Sequence, residues 1–212
     1  MLRPRFAIML DGGFVTKVLS ARLQRYPKAE DIIAECDRVS HHPTLAEYEL
    51  LRIYYYDAPP AGAKLTNPID GSRINLKETD RYKEATELHT HLATAPNFAL
   101  RMGDTMVRGW QIGEKSFKKM SRRPRALAAG DLIPNIKQKG VDLRIGLDMA
   151  RLALRESVRA VVVMTGDSDL IPAFKFARRE GMRVYLDHLG RNVRPGLRIH
   201  ADIVFEDAVE HG

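Results

Sequence analysis

Short apolar runs alternate with amphipathic stretches along this chain, and most of the runs stop at glycine, proline or aspartate. Residues Phe6 to Leu10 are continuously apolar and end at Asp11-Gly12-Gly13. A run so short, closed by glycines and followed by helical spacing, predicts a buried parallel strand that feeds a turn into a helix. Phe14, Val18, Leu19 and Leu23 supply that spacing, and Pro27 ends it. Ala29 to Cys36 forms a second short amphipathic segment. Leu50 to Tyr56, rich in aromatic and branched residues, predicts a strand that stops at Asp57-Ala58-Pro59-Pro60. Its three tyrosines cannot all face one way, because a strand alternates its faces, so at least one belongs to the core.

Residues 58–80 scatter Pro, Gly, Asn and Ser and read as a loop-rich insertion. Tyr82 to Ala93 predicts a helix and Phe98 to Met102 a third strand. Met106 to Ile112 is expected to pair back on that strand as a hairpin through Gly103-Asp104. Residues 113–130 are basic and poor in large apolar groups, which predicts a solvated loop. A helix follows from about Asp142 to Glu156, with Leu143, Leu147, Ala150 and Leu154 as its expected core stripe. Ala160 to Met164 is the clearest buried strand, followed at once by Thr165-Gly166-Asp167-Ser168-Asp169. Ile171 to Glu180 predicts a helix closed by Gly181, Met182 to Leu186 another strand, and Ile203 to Phe205 a short last one.

Strands alternating with helices define an α/β fold: a mostly parallel central sheet with helices on both faces. Residues 1–212 read as a single domain carrying the 58–80 insertion and the basic 113–130 loop. In such sheets ligands sit beyond the carboxyl ends of the strands, so chemistry is sought there.

Composition narrows the classes. With 44% hydrophobic and 29% charged residues, the chain has the makings of an ordinary core. No stretch of about eighteen apolar residues exists, so no membrane span is expected. The opening MLRPRFAIMLDGGF reads as a first strand and not as a signal peptide. Cys36 is the sole cysteine, which excludes an intrachain disulfide and a cysteine-built zinc site, and points to a reducing cytoplasm. A net charge of +7 suits a polyanionic partner such as nucleic acid. Of the seven histidines, His41-His42 and His89-x-His91 show no H-x-x-x-H spacing and read as surface residues.

Aspartates collect where the fold predicts a ligand. Asp11 follows the first strand; Asp167 and Asp169 follow the Ala160–Met164 strand; Asp142 opens the helix that leads into that strand, and Asp148 lies further along it. Six residues amount to about 240° of helix rotation, so Asp142 and Asp148 do not point the same way on one ideal helix. Carboxylates converging on one sheet edge repel each other. A divalent cation with hard-oxygen preference, Mg²⁺ or Mn²⁺, relieves that conflict and equips the site for phosphodiester hydrolysis. Structural roles compete at each position: helix capping at Asp142 and Asp169, a turn at Asp11, a solvated helix face at Asp148. Asp167 is the hardest to explain structurally, because Gly166 lets backbone approach closely there.

Leu10-Asp11-Gly12-Gly13-Phe14, Tyr55-Tyr56-Asp57-Ala58-Pro59-Pro60, Lys137-x-Lys139-Gly140-Val141-Asp142 with Gly146-Leu147-Asp148, and Thr165-Gly166-Asp167-Ser168-Asp169-Leu170-Ile171-Pro172-Ala173 together resemble the bacterial NYN-domain family related to the LabA proteins, within the PIN-like superfamily. The resemblance spans most of residues 5–205. It implies a PIN-like three-layer sandwich and a metal-dependent nuclease acting usually on RNA, with DNA suiting the same charge and metal. It carries catalytic and metal roles to Asp11, Asp142, Asp167 and Asp169, and a metal role to Asp148. Lys139, Lys175, Arg178 and Arg179, with Arg122, Arg123 and Arg125 of the basic loop, are the candidates for holding the phosphate chain. PIN-like domains often pair, so a homodimer is expected by analogy. One departure stands out: many members carry Asn three residues after the first aspartate, and here that residue is Phe14.

Two rivals frame the reading. A haloacid-dehalogenase-like phosphatase also places Asp after strand one, but needs a second acidic residue where this chain has Gly13. A non-catalytic module could bind RNA or protein through the acidic pocket alone. A dinucleotide-binding site is excluded, because Asp-Gly-Gly-Phe is not G-x-G-x-x-G.

Overall fold

The structure, a computed structural model, describes residues 3–205. In chain order it runs β1 (Arg5–Asp11), α1 (Gly12–Leu23), α2 (Ala29–Ser40), β2 (Glu49–Asp57), β3 (Lys64–Thr66), β4 (Arg73–Asn75), α3 (Asp80–Thr94), β5 (Phe98–Met102), β6 (Asp104–Ile112) and α4 (Glu114–Arg122). It continues through β7 (Leu132–Lys139), α5 (Val141–Leu154), β8 (Ala160–Met164), α6 (Ile171–Arg179), β9 (Arg183–Asp187), α7 (Pro195–Ile199) and β10 (Ile203–Phe205). Six strands form the central sheet in the order β10-β9-β8-β1-β2-β5, and every neighbouring pair is parallel. The chain builds outward from β1 through β2 to β5, then crosses back to β8 and continues the other way. The direction of winding therefore reverses between β1 and β8.

Period-two alternation divides the core. Phe6, Ile8 and Leu10 of β1, Ala160, Val162 and Met164 of β8, and Ile53 and Tyr55 of β2 face α1, α2 and α3. Ala7, Met9, Val161, Val163, Tyr54 and Tyr56 face the opposite side, where α5, α6 and α7 supply Val141, Ile145, Met149, Phe174 and Leu197. All three tyrosines of β2 are thus core residues. Strands buried on both faces need no polar positions, which is why β1 and β8 read as unbroken apolar runs. Each fully buried side chain of this size contributes about 1.5–3 kcal/mol.

Four expectations need correction. Strand β6 does not fold back on β5. It pairs antiparallel with β7, from Asp104 opposite Lys139 to Ile112 opposite Leu132, while β5 takes its place beside β2 in the sheet. The 58–80 insertion holds a small antiparallel ribbon, β3 with β4. The basic stretch carries helix α4, whose residues are all at least partly exposed. Along α5 the helical period holds but the phase is shifted: Val141, Ile145, Met149 and Leu152 are buried, whereas Leu143, Leu147 and Leu154 are more than 60% exposed. Two interleaved stripes satisfy the same spacing, and packing against the sheet and α6 selects one. Gly146 on this helix faces α6, where a Cβ would meet that of Ala173 at 3.8 Å, an ordinary contact.

Among the described residues no helix is long and apolar enough to cross a membrane.

Candidate functional site

Leu10 pairs with Met164 at the last rung between β1 and β8. Asp11 and Thr165 therefore leave the sheet side by side, at the point where the winding reverses. In open parallel sheets this crevice is where ligands bind. Asp11 caps α1: its Oδ1 accepts from the Phe14 backbone N–H at 3.1 Å. Its Oδ2 accepts from the Thr165 hydroxyl at 3.1 Å. That same hydroxyl oxygen accepts the backbone N–H of Asp167 at 3.0 Å. Thr165 is fully buried and so ties the two strand ends together through one oxygen. Asp167 in turn caps the short turn Ser168–Leu170, its Oδ1 accepting from the Asp169 N–H at 2.9 Å.

The turn after β1 needs glycine. A Cβ on Gly12 would lie 2.7 Å from the Tyr56 carbonyl oxygen and 2.8 Å from the Tyr55 ring, so any side chain there pushes α1 off the sheet. Asp142 stands in the first turn of α5, exposed, behind Gly140 in the left-handed region at φ 74.

The carboxylates feel one another. Burial, reinforced by Asp142 and Asp167, pushes the Asp11 carboxyl up to about 6, against the lowering effect of its bonds to Phe14 and Thr165. Partial burial, then Asp167 and Asp169, raise Asp142 as well. Asp11, Asp142, Asp167 and Asp169 thus share one field. Asp148 belongs to a different constellation. Its Oδ2 accepts from the Tyr56 hydroxyl at 3.1 Å, and Arg101 Nη2 donates to its Oδ1 at 3.3 Å. Arg101 Nε adds a charge contact at 3.0 Å to Oδ2 that lacks hydrogen-bond alignment. Tyr56 is held protonated by burial and by Asp148.

The basic residues scatter. Lys139 closes β7 three positions before Asp142 and is exposed; Lys175 is exposed in the middle of α6. Arg178 and Arg179 close α6, where the chain turns back toward the start of β9, roughly 12 Å of helix rise from the acidic turn, and Arg178 is paired with Asp202 at 2.8 Å. Arg122 ends α4, and Arg123 caps it. Arg125 is committed to Asp131, which it grips with both Nη atoms at 2.6 Å.

Thr165 and Asp57 at the carboxyl edge, and His89 of α3, have partners that the sequence does not mark. Thr165 lay inside a quoted motif without a role of its own. Asp57, at the end of β2, is 5% exposed. It is bonded to His89 Nε2 at 2.9 Å and to Gln138 Nε2 at 2.7 Å. His89, read as a surface residue, is instead half-buried against that carboxylate. Nothing in local spacing marks the pair, because 32 residues separate its members.

The donor set at the switch point is carboxylate and hydroxyl oxygen throughout, which fits a hard cation such as Mg²⁺ or Mn²⁺ and no soft one. As placed, no group of three or more His, Cys, Asp or Glu side chains among the described residues closes round an ion. Asp142 and Asp169 are the exposed members of the cluster.

An open parallel α/β domain with an acidic cluster at its switch point is the class these features define. Residues 104–194 match the model of the NYN domain, a segment that holds Asp142, Asp167 and Asp169. Among solved structures the fold resembles a Vibrio parahaemolyticus protein of unknown function, VPA0982, with 15% identity and a TM-score of 0.55 over 97% of this chain and 94% of that one. A Phytolacca americana UGT2 complexed with UDP-2fluoro-glucose and pterostilbene aligns at 13% identity over 88% of this chain and 30% of that one, with a TM-score of 0.30, too low to bear on the fold. No curated protein sequence matches.

Proposed function

We propose that this protein is a metal-dependent ribonuclease that hydrolyses phosphodiester bonds at the carboxyl edge of its sheet. The observation that carries the reading is the Asp11–Thr165–Asp167 chain of hydrogen bonds at the β1/β8 crossover, with Asp142 and Asp169 in the same field. The NYN-domain match over residues 104–194, the net charge of +7 and the hard-oxygen donor set support it. Bound Mg²⁺ or Mn²⁺ supplies Lewis-acid polarisation of the phosphate and a nucleophile at neutral pH.

The chain's own residues have distinct tasks. Asp11 and Asp167 would hold the ion, each steadied by a backbone N–H on one oxygen. Asp142 and Asp169, both exposed, would supply further carboxylates to it. Thr165 is a positioning residue: it fixes the rotamer of Asp11 and the backbone of Asp167 at once. Lys139, exposed three residues before Asp142, is the candidate to meet a phosphate. Asp148 is drawn away by Arg101 and Tyr56 and serves α5 packing. Arg125 and Arg178, already paired, contribute little to strand binding.

Cleavage of a labelled single-stranded RNA with Mn²⁺ or Mg²⁺, by wild type and by Asp167→Asn purified in parallel, tests the reading. Cleavage by wild type alone is expected. RNA binding without cleavage by either protein replaces it with a non-catalytic module, a reading that the packing of apolar Phe14 beside the site favours. Equal cleavage by both overturns the assignment of the centre.

A further inference from the structure

The cleft beside the acidic cluster has no role in the reading so far. It encloses about 740 Å³ between α1, α3, the end of β2 and the two small ribbons, within the range of sites that enclose small molecules. At one end sits the buried Asp57, with both oxygens engaged. Oδ1 takes the Ala58 N–H at 2.7 Å and the Gln138 amide, and Oδ2 takes His89. Because Gln138 spends its Nε2 on Asp57, its Oε1 remains as an acceptor. Pro59, Pro60, Ile74 and Tyr82 give the wall apolar and aromatic faces, and Lys17 and Arg81 add positive charge to it. Tyr26 stands at the edge with the Arg81 guanidinium stacked 3.9 Å from its ring centre.

The cleft and the cluster are contiguous. A Cβ on Gly13 would lie 3.5 Å from Gln138 Oε1 and 3.6 Å from Asp11 Oδ1. The amide acceptor and the first carboxylate are therefore within about 7 Å of each other across a bare glycine, the span of one nucleotide. Trp110 Nε1 of β6 donates to the Thr66 carbonyl of β3 at 2.8 Å, joining the two ribbons, and Asn67 Nδ2, just after β3, donates to the Ala129 carbonyl, just before β7, at 3.2 Å.

We infer that this cleft takes one unpaired nucleobase of the RNA strand whose phosphate lies at Asp11, and so gives the enzyme base preference. The inference rests on the ribonuclease reading for its orientation. Its chemistry is that of single-strand recognition, in which an unstacked base lies against aromatic and apolar faces and its edge meets fixed polar groups. The Asp57 carboxylate on the floor repels a phosphate at that end of the cleft. A base with an N–H on its edge meets Gln138 Oε1. Asp57 orients that amide, and a second bond from His89 holds Asp57.

The test separates the cleft from the cleavage. Wild-type protein in EDTA is titrated with each of the four nucleoside 5′-monophosphates, followed by NMR shifts. The same protein with Mn²⁺ is given the four homopolymer RNAs. Two variants accompany it: Ala61→Trp, which fills the cleft from its rim, and Gln138→Ala, which removes the acceptor from an exposed strand position. Expected are shifts in the cleft for at least one nucleotide in EDTA. A preference among homopolymers of roughly tenfold, the low end of what one good base contact discriminates, is expected alongside. Ala61→Trp abolishes both, and Gln138→Ala levels the preference. Nucleotide binding in the cleft without any RNA cleavage keeps this inference and removes the ribonuclease reading. Cleavage of all four homopolymers alike, absence of nucleotide binding, or binding unmoved by both variants overturns it.

Discussion

The ring of Phe14 fills the space that any side chain at residue 166 would need: a Cβ on Gly166 would lie 2.6 Å from Phe14 Cε2. Position 14 is used here to clamp the first strand-to-helix turn against the loop that presents Asp167. The two acidic strand ends are thereby held by an apolar contact as well as by Thr165.

Gly166→Ala should therefore be costly out of proportion to one methyl. Displacing a packed ring costs about 1–3 kcal/mol, and the shift moves Asp167. Urea unfolding and RNA cleavage should both fall, while the double variant Gly166→Ala with Phe14→Leu recovers stability. Additive losses in the double variant would show that the two residues do not share that space.

Thr165→Val keeps the shape and removes the shared hydroxyl. Asp11 loses a donor and the Asp167 N–H loses its acceptor, at about 1–3 kcal/mol for groups left unpaired in a buried place. Thr165→Ser retains the oxygen and should retain most cleavage. A valine variant as active as wild type would show that Asp11 and Asp167 hold position without the bridge.

The strand ends were legible because their causes are local. Five buried positions in a row, as in Phe6–Leu10 and Ala160–Met164, leave little reading other than a strand buried on both faces, and an aspartate directly after such a strand falls at the carboxyl edge. Strand β7 was not legible. Leu132–Lys139 mixes Pro134 with Lys and Gln because its ribbon is half-solvated, so it shows no apolar run. The phase of α5 was undecidable from spacing alone, since two leucine-rich or mixed stripes fit one helix. Thr165 with Asp11 and His89 with Asp57 depend on partners 154 and 32 residues away, which no window along the chain contains.

Asp148 and Asp167 should respond oppositely to the same change. Asp148→Asn weakens the bond set with Arg101 and Tyr56, and a stability loss of about 1–3 kcal/mol is expected, with the Mn²⁺-induced rise in Tm intact. Asp167→Asn should leave apo stability nearly unchanged and abolish that rise. Thermal melts with and without Mn²⁺ decide it. Loss of the metal response in Asp148→Asn would return that residue to the metal shell.

Asp11 also fixes a pH dependence. Its carboxyl titrates at about 6 in the fold against an ordinary value of 3.8, so folding favours its protonated form. The stabilisation this gives is full below pH 3.8 and is lost as pH rises through 6; the difference of about two units corresponds to about 3 kcal/mol. A cation requires the ionised carboxylate, so its grip weakens in the other direction, as pH falls through the same value. Without metal, Asp11→Asn should outlast wild type most clearly at about pH 7.5 and hardly at all near pH 4. With Mn²⁺, the wild-type rise in Tm should be large at about pH 7.5 and shrink by about pH 5, and Asp11→Asn should show little rise at either. A rise in wild type that does not change across this interval would mean that Asp11 does not touch the ion, and the centre would then have to be built on Asp142, Asp167 and Asp169 alone.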